Sequence, residues 1–135
     1  MKLPSPDRLK RGRAAVIDCT MEDCDICLHV CGFLAISRDE DGRPYSDTER
    51  CVGCGGCAAI CPGMDIVLVK DRGDGGFEFT IPFDGELPEL DDTVELTPPG
   101  EDVPIKARVI QAIPKRPNAV SALVRAAAQW EPNRN

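Results

Sequence analysis

Eight cysteines in 135 residues hold the chemistry this chain can do, and they fall in two runs. The first, CTMEDCDICLHVC, places Cys19, Cys24, Cys27 and Cys31; the second, CVGCGGCAAICP, places Cys51, Cys54, Cys57 and Cys61. The second run follows C-x2-C-x2-C-x3-C-P, a spacing with which thiolates hold 4Fe–4S cubes. Three cysteines two residues apart, in a loop wrapped around a cube, can each reach a different iron. The fourth, three residues on, points away on a short helix toward a neighbouring cluster. From Cys24 onward the first run repeats the pattern, Cys24-x2-Cys27-x3-Cys31 standing over Cys54-x2-Cys57-x3-Cys61. The chain therefore reads as an internal duplication of about 30 residues. On this reading one 4Fe–4S cluster takes Cys19, Cys24, Cys27 and Cys61, and the other takes Cys51, Cys54, Cys57 and Cys31.

The four residues between Cys19 and Cys24, Thr20 to Asp23, break the repeat. Cys19-x4-Cys24-x2-Cys27 coincides with plant-type 2Fe–2S spacing, but that assignment leaves Cys31 without a role and the second run short of ligands. An insertion in a surface loop is tolerated at little entropic cost, so the gap reads as a stretched 4Fe–4S loop. Zinc is the next alternative, although separated C-x2-C pairs suit a tetrahedral ion better than a triplet does. Disulfides are a third. The start, MKLPSPDRLKRGRAAVI, has no apolar run of signal-peptide length, and a cytoplasmic chain uses closely spaced cysteines as metal or redox ligands. His29, the single histidine, reads as an exposed helix residue, since eight thiolates already serve eight irons. There is no Ser/His/Asp set, phosphate-cradling loop or carboxylate pair, so the chain reads as a carrier and not an enzyme on its own.

Residues 14–70 resemble a bacterial two-cluster ferredoxin domain. The resemblance implies an α+β fold built of two halves, each a strand, a cysteine loop, a short helix and a returning strand. The matching segments are AAVID (14–18), a helix around 25–31 and LAIS (34–37), then RPYSD (43–47), a helix around 57–61 and MDIVLV (64–69). DEDGR (39–43) joins the halves with hairpin composition. The family's Pro after each last cysteine is present as Cys61-Pro62 but replaced in Cys31-Gly32. Gly53, Gly55 and Gly56 leave room for a cube and expose N–H groups that raise its potential. The first loop carries Glu22, Asp23 and Asp25 instead, so the Cys19/Cys24/Cys27/Cys61 cluster is expected to have the lower potential.

Those two halves must be positioned by a chain poor in large apolar side chains: 4% is aromatic, and Gly and Pro contribute 12 residues each. Burial alone stabilises such a chain weakly, and bound clusters would staple it. Residues 1–13 hold five cations against Asp7, +4 in a chain of −7, leaving −11 for the rest. This basic arm reads as a solvated, mobile terminus or a docking arm, and the acidic remainder disfavours nucleic acid and membrane. No segment has the roughly 20 apolar residues of a bilayer span. Beyond residue 70, DRGDGG (71–76) reads as a turn or linker. FEFTI (77–81), DTVEL (92–96) and IKARVIQAI (105–113) then alternate like strands. A last strand is placed at 119–125, although the alanines 126–128 favour helix by propensity. Residues 71–135 thus form a small β module serving as docking surface or lid. With this tail, the chain is similar to the small subunits of bacterial flavin-dependent amine and amino-acid dehydrogenase complexes. That similarity implies electrons received from a flavoprotein partner, flavin in the partner only, and a hetero-oligomeric assembly; the alternatives are a freestanding soluble low-potential ferredoxin and an iron–sulfur structural or sensing protein.

Overall fold

The computed structural model describes residues 4–17, 35–47, 49–62, 66–117 and 119–131. They are mostly β-sheet with two short helices. The helices are α1 (Pro6–Arg11) and α2 (Gly56–Ile60). The strands are β1 (Ala14–Ile17), β2 (Ile36–Arg38), β3 (Pro44–Ser46), β4 (Ile66–Gly73), β5 (Gly76–Phe83), β6 (Thr93–Leu96), β7 (Ile105–Ile113) and β8 (Ala122–Gln129). Six strands form one antiparallel sheet in the order β1-β4-β5-β8-β7-β6, and β2 and β3 make a separate hairpin. The helix expected around 25–31 lies outside the described residues.

Strand alternation gives the sheet two different faces. One carries Ala14, Val16, Val69, Phe77, Phe79, Ala107 and Ala126, closed over by Leu9 of α1. The other carries Ala15, Ile66, Leu68 and Leu123, packed against Ile36 of β2 and Cys57, Ala58 and Cys61 around α2. The cysteine loop therefore lies on the face opposite the aromatic core. Further along that second face the row turns polar. Arg13 and the buried Glu78 pair at 2.9 Å, and Arg125 donates to Thr80 Oγ1 at 3.2 Å and Gln111 Oε1 at 2.7 Å. Burial, with Arg13 nearby, pulls the Arg125 guanidinium below its usual range against the opposing pull of Glu78.

The described residues bear on three expectations. DRGDGG, read as a turn or linker, is the turn and does not link separate bodies. β4 runs to Gly73 and pairs through Gly76 with β5, around a turn in which Asp74 (φ 54°) and Gly75 (φ 79°) are both left-handed. That is the primed turn whose twist suits a hairpin, so the segments on either side of residue 70 share a sheet. Nor are residues 4–13 a solvated arm. Pro6 opens α1, Ser5 Oγ accepts from the Arg8 N–H at 3.2 Å, and Arg8 and Leu9 are buried. The final strand runs Ala122–Gln129 instead of 119–125. Its small Ala126 pairs with Phe79 on one side and Val109 on the other, leaving room for the ring.

Candidate metal centre

The loop after β3 turns on two glycines that no other residue could replace without strain. Gly53 (φ 72°) and Gly55 (φ 84°) are left-handed, and a Cβ on Gly53 would lie 2.6 Å from both Cβ and the carbonyl oxygen of Arg13. A Cβ on Gly55 would press on Leu123 Cδ1 at 3.2 Å. The loop is thus squeezed between the N-terminal segment and the start of β8. The same strand start secures α2, because the N–H groups of Val120 and Ser121 donate to the Ala59 carbonyl at 2.8 and 3.1 Å.

Three of the expected ligands line one cavity. Cys51, Cys54 and Cys57 line a single cavity walled by Ala15, Ile36 and Leu68. Cys51 is half-buried, Cys54 exposed and Cys57 buried, and none of the three is in a disulfide among the described residues. Cys61 does not line this cavity; it is buried in the core at the end of α2, its N–H donating to the Cys57 carbonyl at 3.2 Å. Among the described residues, no three His, Cys, Asp or Glu side chains are drawn together as one metal-binding group. Cys19, Cys24, Cys27, Cys31 and His29, with the acids Glu22, Asp23 and Asp25, lie outside the described residues.

The donor set fits an iron–sulfur group. Soft thiolates facing an apolar pocket are what such clusters take, and glycines keep the loop free of competing side chains. A second feature of the cavity is polar. Ser46 Oγ, at the end of β3, lines it, is buried, and makes no hydrogen bond among the described residues.

One positioning residue escaped the reading of the sequence. The buried Arg8 donates through Nη2 to the Cys51 carbonyl at 2.7 Å and the Arg13 carbonyl at 3.0 Å, and through Nη1 to the Gly12 carbonyl at 3.0 Å. It ties α1 to the first cysteine of the loop across 43 residues, and no local pattern announces it. Arg11, on the same helix, makes an exposed pair with Glu49 at 2.9 Å.

Residues 44–66 match the 4Fe-4S binding domain family. Over 45 residues the chain is 44% identical to a subunit of the Na(+)-translocating ferredoxin:NAD(+) oxidoreductase complex of Acetobacterium woodii, covering 33% of this chain and 14% of that protein. Over 53 residues it is 38% identical to a subunit of the tetrathionate reductase of Archaeoglobus fulgidus, covering 38% and 26%. Over 46 residues it is 41% identical to an uncharacterized ferredoxin of Methanocaldococcus jannaschii, covering 34% and 29%. The chain thus spans less than a third of each of these relatives. No solved structure matches it. No helix among the described residues is long and apolar enough to cross a membrane.

Proposed function

We propose that this chain is a non-catalytic electron-transfer subunit holding two 4Fe–4S clusters, one on Cys19, Cys24, Cys27 and Cys61, the other on Cys51, Cys54, Cys57 and Cys31. It receives electrons from a flavoprotein dehydrogenase subunit of a cytoplasmic oxidoreductase complex. The observation that carries the proposal is that Cys51, Cys54 and Cys57 line one cavity, within the segment that matches the 4Fe-4S binding domain family. A bound cluster would supply a reversible one-electron store. The chain's own residues shape the loop, keep bulky side chains out of it and hold its first cysteine through Arg8. The separation of Cys61 from that cavity supports its assignment to the other cluster.

Passage of the electron into and out of the loop is served by Cys54. Its exposed side opens on a groove lined by Arg116 and Arg125, by the apolar Ile60, Ile113 and Leu123, and by no Asp or Glu. In a chain of net charge −7 this is where a partner with an acidic surface would approach. Residues 71–131 thus act as docking surface while β8 also braces the loop. The likeness to a ferredoxin favours a second reading, a freestanding shuttle.

Anaerobic purification from the native host, with native mass, iron and flavin measured in one peak, separates the two. A peak far above 14.6 kDa that contains flavin is the expected result. A lone 14.6 kDa peak with about eight irons would make the protein a free ferredoxin. A peak without iron or sulfide would overturn both.

A further inference from the structure

We infer that Ser46 donates a hydrogen bond to sulfur of the group held by Cys51, Cys54 and Cys57, and so raises its reduction potential; this rests on the cluster reading above. Ser46 closes β3, in register with Ile36 of β2, and that pairing carries its side chain to the wall of the three-cysteine cavity. Its hydroxyl is buried without a partner among the described residues. Most buried hydroxyls are paired, and one left unpaired calls for a partner such as an ordered water, an ion or a bound group. Around this cavity the neighbouring side chains, Ala15, Ala35, Ile36 and Leu68, accept nothing. Among the other described side chains lining the cavity, the cysteine sulfurs are the acceptors.

The consequence has a sign. Reduction by one electron adds negative charge that the sulfurs share, and a donor pointed at them binds the reduced form more strongly. The proton stays on Oγ and no bond is made or broken. Ser121 provides the control. Its hydroxyl is also buried and unpaired among the described residues, but it lines the outer groove and not the three-cysteine cavity.

The test uses the full chain reconstituted anaerobically with ferrous iron and sulfide, titrated by potentiometric EPR. Ser46→Ala should lower one midpoint of the pair and leave the other in place, a change of up to about tenfold in the reduction equilibrium, about 59 mV for one electron. Pulsed ENDOR in H2O and D2O should lose one exchangeable proton coupling in the same variant. Ser121→Ala should move neither signal. If Ser46→Ala assembles poorly, Ser46→Thr and Ser46→Val share a shape and differ in the hydroxyl: Thr should hold the wild-type midpoint and Val should lower it. Equal midpoints and unchanged proton couplings with full iron content would overturn the role of Ser46 alone. A wild-type chain that takes up no cluster would overturn the cluster reading, and this inference with it.

Discussion

The two faces of the six-stranded sheet are made of different material. One buries Phe77, Phe79, Val69, Val109 and Leu9, with Trp130 edge-on to both rings at 5.2 and 5.4 Å. The other carries alanines, Leu68, Leu123 and two buried cysteines, then a polar row around Glu78 and Arg125. Burial of large side chains stabilises the first face whatever is bound. The second offers small side chains, cysteine thiols and a hydroxyl that is unpaired among the described residues. Three of the chain's six aromatic residues, Phe77, Phe79 and Trp130, lie on the face away from its cysteines.

The difference breaks most sharply at Phe79. Its side chain is fully buried between Ala126 and Val69, its neighbours on the adjoining strands. Phe79→Ala should cost about 3–5 kcal/mol by the loss of contacts and the cavity left behind. Denaturant unfolding followed at Trp130 should report that loss in iron-loaded and iron-free protein alike. A loss confined to the iron-loaded form would mean that the two faces do not divide the work as described.

Gly53→Ala probes the opposite face. The added methyl meets the Arg13 backbone at 2.6 Å on a residue already left-handed, so the loop must move, at about 1–3 kcal/mol. Iron per chain should fall while the sheet's circular dichroism persists. Unchanged iron content would show that the loop tolerates displacement and that the squeeze between Arg13 and Leu123 does not position the cysteines.

How much of this was legible in the sequence follows the range of the interactions. IKARVIQAI reads as a strand because Ile105, Ala107 and Val109 alternate inward, and β7 covers the same residues. The α2 helix and the β2–β3 turn were also local matters; the turn is held by Asp39 Oδ1 accepting from the N–H groups of Asp41 and Arg43. Three alanines pointed to helix by propensity, yet Ala126 serves a strand because Phe79 needs a small partner beside it. DRGDGG could be seen as a turn, but not as the hinge of a hairpin that carries the sheet onward. The cysteine spacing announced a metal loop, whereas Arg8, Arg13 and Leu123 shape it from remote positions in the chain and, like Ser46, carry no motif.

Arg8 and Arg11 sharpen the comparison at the smallest scale, because they share one helical turn and one charge. Arg8 is 6% exposed and its guanidinium serves three carbonyls, one of them that of Cys51. Arg8→Gln removes a donor set that glutamine cannot span and leaves those oxygens short of partners, a loss of about 2–3 kcal/mol. Its loaded protein should also release iron faster to a chelator, since Cys51 loses its tether. Arg11 holds Glu49 in water, with 60% and 68% of the two side chains exposed, and such pairs contribute under about 0.5 kcal/mol. Arg11→Gln should therefore leave both melting and iron release near wild type, less so only at low salt. The two substitutions change net charge equally, so any difference between them comes from the contacts and not from the field of a basic segment. Equal effects would return α1 to the role of a charged arm, with the loop held by the sheet alone.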